Sequence, residues 1–121
     1  MTKQTITKEP GTLPGNITQE QFDAWKKEHG DIHTISVYDD SQTKTCYLKP
    51  PGRNVVAVMM TRHANKQILE AGEFAIQNCW LGGDDSLRNP SSSQKEQMFS
   101  IKAATLAFNV LELPGGQYVK N

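Results

Sequence analysis

Large apolar residues are sparse over the first twenty positions and recur regularly only from Phe22 onward, so the core must come from residues 22–113. The first patterned segment opens at Thr18-Gln19-Glu20-Gln21. A hydroxyl at N-cap with glutamine three residues later forms a capping box, which satisfies two amides that the first helical turn leaves free. Phe22 and Trp25 follow three apart, on one side of a short helix. His29-Gly30 should end it, with glycine suited to the left-handed position after the last turn. A helix this short is marginal alone, so it must dock through Phe22 and Trp25.

Alternation then replaces the helical period. Ile35 and Val37 interleave with Thr34, Ser36 and Tyr38, which predicts a strand over 32–38. Asp39-Asp40-Ser41-Gln42 is turn-forming, and residues 43–48 supply a return strand rich in Thr, Tyr and Leu. A two-stranded hairpin is marginal in water, so it needs a helix or further strands against it. Lys49-Pro50-Pro51-Gly52 stops the second strand, because proline offers no ladder N–H and holds its predecessor extended.

Helical spacing returns over 54–63, with Val55, Val58 and Met59 on one face. Asn65 is placed to cap a second helix reaching about Trp80, with Ile68, Leu69, Ala71, Ala75, Ile76, Cys79 and Trp80 at apolar positions. Gly72 weakens that helix by roughly 1 kcal/mol relative to alanine, so a break is expected there. Gly82-Gly83-Asp84-Asp85 reads as its stop. Ser93-Gln94-Lys95-Glu96 is a second capping box, opening a helix to about Val110 that carries Met98, Ile101, Leu106 and Phe108. The expected fold is α+β: a short N-terminal helix, an antiparallel β-hairpin, then a bundle of about three helices. Residues 1–15, with Pro10-Gly11 and Pro14-Gly15, read as a flexible arm. One domain spans 16–113, and 114–121 is a tail.

Composition narrows the function classes. At 121 residues and 36% hydrophobic, with a mean hydropathy of −0.58, the chain supports one modest core. Thirteen basic and thirteen acidic residues cancel. That balance disfavours nucleic acid as a partner, since non-specific binding depends on surplus Lys and Arg to neutralise phosphates. It also weakens self-repulsion, which suits a homo-oligomer. Lys26, Lys27, Lys44, Lys49 and Arg53 fall in one half of the chain, either as a local basic patch or as ordinary solvated surface. The longest apolar run, 55–60, is far too short to span a bilayer, and the polar N-terminus does not read as a signal peptide. A cytoplasmic protein with Cys46 and Cys79 reduced is the expectation.

No catalytic, cofactor or metal site emerges. His29 and His33 are four apart, but Gly30 interrupts the helix that would align them. Cys79 lies on an apolar helical face beside Trp80, which suits an inert buried thiol better than a nucleophile. Asp39-Asp40 and Asp84-Asp85 lack the spaced oxygen ligands of a calcium loop and read as turn chemistry. Pro50-Pro51-Gly52-Arg53 lacks the glycines and the terminal Lys-Ser/Thr of a phosphate loop. A stacking surface for single strands from Trp25, Tyr38, Tyr47 and Trp80 competes with simple packing.

Three stretches are more specific. They are Phe22-Asp23-Ala24-Trp25-Lys26-Lys27-Glu28-His29-Gly30, the hairpin exit Tyr47-Leu48-Lys49-Pro50-Pro51-Gly52-Arg53, and Asn78-Cys79-Trp80-Leu81-Gly82-Gly83-Asp84. Together they resemble small uncharacterised proteins of Bacteroides-type phages and prophages, over roughly residues 18–111. That family is similar in layout to phage tail assembly chaperones, with a hairpin leaving through Tyr-Leu-basic-Pro into helices. The arm here is longer and the last helix less charged than that pattern.

The resemblance implies a non-enzymatic protein in the bacterial host cytoplasm that binds an aggregation-prone phage structural protein, such as the tape measure. A structural virion component (head, connector or tail adaptor) is the alternative, and a host-pathway inhibitor or ligand-binding protein a third reading. Partner contacts are expected on the hairpin edge and the helices after Pro51, at Tyr47, Leu48, Arg53, Met59, Trp80 and Leu81. Met59, Met60 and Met98 offer adaptable contacts or ordinary core filling.

Overall fold

In a computed structural model, which describes residues 12–110 and 116–120, the protein is a mixed α/β fold of four helices and two small antiparallel sheets. The chain begins with a hairpin of two-residue strands, β1 (Thr12–Leu13) and β2 (Ile17–Thr18). Helix α1 (Gln19–His29) follows, then β3 (His33–Tyr38) and β4 (Thr43–Leu48). Helices α2 (Arg53–Ala64) and α3 (Ile68–Cys79) come next. Strand β5 (Trp80–Gly83), a 3-10 turn (Asp85–Leu87) and helix α4 (Gln94–Val110) complete it.

Strand β4 is central in the order β3-β4-β5, and both its neighbours are antiparallel to it. Thr45, Cys46, Tyr47 and Leu48 are all buried, because both faces of the strand are covered. On one face Cys46 and Leu48 join Ile35 and Val37 beneath α3 and α4, meeting Ile76, Cys79, Phe99 and Ala103. Full burial of Leu48 alone removes enough apolar surface to contribute roughly 1.5–3 kcal/mol. On the other face Tyr47 lies under α1, its ring centroid 5.9 Å from Phe22 and 5.8 Å from Trp25. Phe22 and Trp25 thus dock α1 as their spacing predicts.

The N-terminal hairpin closes that second layer. The Tyr47 hydroxyl donates to the Pro14 carbonyl at 2.8 Å, and Ile17 is buried. Residues 12–15, read from sequence as part of a flexible arm, are therefore built into the fold; 1–11 lie outside the described residues, as do 111–115, where the expected domain boundary at 113 falls. The Thr18 capping box is present in full, with Thr18 Oγ1 accepting from the Gln21 amide and Gln21 Oε1 from the Thr18 amide. The second box is split. Ser93 Oγ accepts from the Glu96 amide, but the Glu96 carboxylate reaches the Ser91 amide instead of returning to Ser93.

Three sequence expectations need correction. Asn65 ends α2 instead of starting α3, and Lys66 makes the reversal at φ +64 before Gln67 caps α3. Gly82-Gly83 is not a helix stop but part of β5, which follows α3 without a loop: Trp80 already has extended φ −61 and ψ 129. The sheet is therefore three-stranded, and β5 interrupts the expected run of helices. Glycine is required at Gly83, where φ is +125 and an added Cβ would lie 2.5 Å from the Cys46 Cα, while at Gly82 it would press on the Trp25 ring at 2.8 Å and on Ile17 at 3.0 Å.

Gly72 causes no break. It lies inside α3 where α4 comes closest, and an added Cβ would collide with the Ala104 carbonyl. Ala71, Ala75, Ala103, Ala104 and Ala107, all fully buried, let the two helices meet backbone to backbone. At an exposed helical site, glycine to alanine would gain roughly 1 kcal/mol. Here overpacking of about 1–3 kcal/mol outweighs that gain. Gly72→Ala should lower the urea midpoint with an unchanged slope; an unchanged or raised midpoint would mean that α3 and α4 do not touch there.

Candidate protein-docking surface

The six residues expected to meet a partner separate into two groups. Tyr47, Leu48 and Met59 are 3%, 0% and 4% exposed, so they hold the core and are unavailable to a partner in this fold. The physical reason is that β4 is covered on both faces and Met59 points at Ala71 and Ala75 of α3. Trp80 and Leu81 are half-buried in β5. The Trp80 ring lies beneath the Arg88 guanidinium at 4.5 Å, so the neighbouring loop already occupies it. Arg53 is exposed at the start of α2.

The acidic pairs serve local structure. Asp39 Oδ1 accepts from the Ser41 and Gln42 amides and from the Ser41 hydroxyl, while Lys95 approaches Oδ2 at 3.3 Å. Led by the Ser41 amide, these donors pull the carboxyl down to about 2. Asp84 Oδ1 caps the 3-10 turn at Ser86, and Asp85 pairs with Arg88 at 2.7 Å, which lowers its pKa. His29 closes α1 and His33 opens β3, so they share no helix face. Among the described residues no group of three or more His, Cys, Asp or Glu is placed to hold a metal ion.

A hollow of about 380 Å³ along α3 is lined by Arg62, Glu70, Glu73, Phe74, Gln77 and Arg88, among others. Arg88 is committed to Asp85 and Trp80, and Arg62 lies 5.4 Å over the Phe74 ring. The Arg62 Nε is buried there without a hydrogen-bond partner among the described residues.

Exposed large apolar side chains occur on α3 (Ile68), on α4 (Met98 and Ile101) and on α2 (Met60), and on α2 the exposed residue belongs to a stripe. The inward side of α2 carries Val55, Val58, Met59 and Arg62, of which only Met59 is buried. On the opposite side, Val56, Ala57, Met60 and Ala64 recur at helical spacing; Met60 is 55% exposed and Ala57 and Ala64 are also exposed. A helix apolar on both sides is ordinarily enclosed by protein, whereas α2 packs on one side alone. Two hollows flank this outer stripe. One of about 390 Å³ is lined by Pro51, Arg53, Val56, Ala57 and Met60, and one of about 430 Å³ by Ala57, Val58, Thr61, Arg62, Asn65 and Gln67. The sequence signal for this surface is the unbroken run 55–60, longer than a single buried face requires. Of Val55, Val58 and Met59, expected on one face, Val55 and Met59 pack into the core and Val58 is half-buried beside a hollow, while Val56 and Met60 lie on the opposite side.

No helix of the described residues is long and apolar enough to cross a membrane. Comparison with family models, curated proteins and solved structures finds no match to this chain. Its function is therefore argued from its surface and its sequence.

Both cysteines are free and buried. Burial pushes the Cys46 thiol up to about 12, with Asp84 adding to the effect, and it also raises Cys79. Because the thiolate is the reactive form, a rise from 9.0 to about 12 lowers its population roughly a thousandfold at neutral pH. A chromogenic disulfide reagent at about pH 8 should leave both thiols unmodified for minutes in the native protein and titrate both in concentrated guanidinium. Rapid native labelling of either would contradict their enclosure.

Proposed function

We propose that the protein is a non-enzymatic phage assembly factor that works in the manner of a tail assembly chaperone, holding an aggregation-prone phage structural protein such as the tape measure. The observation that carries this reading is the outer side of α2, an apolar surface left open immediately after the hairpin exit Tyr47-Leu48-Lys49-Pro50-Pro51-Gly52-Arg53. That order, a hairpin leaving through a basic proline turn into helices, is also the basis of the likeness to phage chaperones. The proposed site of action is the bacterial host cytoplasm. The sequestering groups are aliphatic side chains and methionine, which adapt to partners of varied shape.

Co-expressed with the phage structural proteins encoded beside it, the protein should keep one of them soluble and co-purify with it, yet be absent by mass spectrometry from finished particles. Failure to retain any neighbouring gene product would remove the reading. Stoichiometric presence in particles would replace it with a virion component.

A further inference from the structure

From charge and shape together, we infer that the outer side of α2 docks an acidic amphipathic helix, an inference that rests on the protein-binding reading above and gives it a partner chemistry. The charge distribution is the first ground. Although the chain is neutral overall, residues 50–69, which include α2, contain no Asp or Glu and three basic residues, Arg53, Arg62 and Lys66. Helix α2 lies inside this stretch, with Arg53 in its first turn and Arg62 and His63 in its last. The N-terminal end of a helix carries partial positive charge, and here neither an acid in the first turn nor a side-chain cap from Gly52 offsets it. Glu70 and Glu73 line the hollow on α3 that Arg62 shares, so Arg62 is partly balanced from there. Arg53, at the head of the stripe, has no ion-pair partner among the described residues.

Shape is the second ground. Val56, Ala57, Met60 and Ala64 form a ridge about two turns long, with a hollow on either side. Ridges of one helix packing into grooves of another is the standard contact between helices, and small residues such as Ala57 and Ala64 permit close approach. A helix with apolar residues at i, i+3, i+4 and i+7 and Asp or Glu beside them would fill the hollows and meet Arg53 and Lys66 at its edges.

Other occupants fit less well. A second copy using the same face would bring basic ends together without a single acid on α2 to answer them. The segment 1–11 contains Lys3 and Lys8 against Glu9 alone, so it carries the wrong sign. The described tail, 116–120, is exposed, with Tyr118 at 86%, and leaves α2 uncovered.

The test uses the full chain and three designed helical peptides. One has a leucine stripe with Glu flanks, one has the same stripe with Lys flanks, and one has the acidic composition with its apolar period scrambled. The first should bind best by fluorescence anisotropy, weaken with added salt, and shift backbone NMR signals over residues 53–64. Met60→Asp, a change at a 55% exposed position that leaves the core untouched, should weaken it about tenfold or more. Arg53→Glu should reverse the preference between Glu and Lys flanks.

No binding of the first peptide, equal binding of the Lys-flanked or scrambled one, or indifference to Met60→Asp would each overturn the inference. So would self-association abolished by Met60→Asp, or binding to anionic phosphatidylglycerol vesicles without binding to the acidic peptide. If the protein captures a phage structural protein through a surface insensitive to Met60→Asp, the assembly reading stands and this docking mode falls.

Discussion

The burial of β4 on both faces is the constraint on which the rest of the structure depends. The strand pairs with β3 along one edge and β5 along the other. Its alternate side chains then serve two different layers: Cys46 and Leu48 face α3 and α4, while Tyr47 receives Phe22 and Trp25 and holds the N-terminal hairpin through Pro14. A one-residue slip in register would exchange these two sets, placing the tyrosine ring in the alanine-lined helix contact and Leu48 beneath α1. The register also sets Gly82 opposite Tyr47, where the absence of a side chain makes room for the Trp25 ring. Strand pairing, the docking of α1 and the position of β5 are thus consequences of a single arrangement.

Helix α2 stands outside that arrangement. It reaches the core through Met59, which packs against α3, and through Val55, which packs against both that contact and the sheet-centred cluster; at its end His63 lies 5.1 Å from the Phe108 ring of α4. The same isolation that leaves α2 less anchored leaves its second apolar side in water. In a chain whose core is small and alanine-rich, about two turns of unneeded apolar surface would cost solubility. Retaining Val56 and Met60 there is consistent with use by a partner, and the run of basic residues around them gives that partner a sign.

Much of the layout was legible from the residues. The Thr18 capping box, the pairing of Phe22 with Trp25, the return strand 43–48 and the inward set of α2 all follow from local periodicity, and local periodicity is what a single sequence displays. The misreadings share a different origin. Gly72, Gly82 and Gly83 signal weakness or a turn when read along the chain. Gly72 and Gly83 are instead demanded by backbone distant in sequence, at Ala104 and at Thr45 with Cys46, and the lack of a side chain at Gly82 leaves room for Trp25 and Ile17. Asn65 suits either end of a helix, and the C-cap of α2 and the N-cap of α3 lie only two residues apart, at Asn65 and Gln67. The burial of Tyr47, Leu48 and Met59 is hidden in the sequence for the same reason, since their covers come from other parts of the fold. The surface that did emerge was visible only as an excess, an apolar run longer than one face can bury.

Native-state hydrogen exchange tests this division between an anchored core and an outlying helix most directly. Amides of β4 and of the facing stretches of α3 and α4 should exchange only through global unfolding, and those of α2 through local opening at lower free energy. If α2 proves as protected as β4, or if β4 exchanges first, the account of a sheet-centred core with a detached docking helix is contradicted.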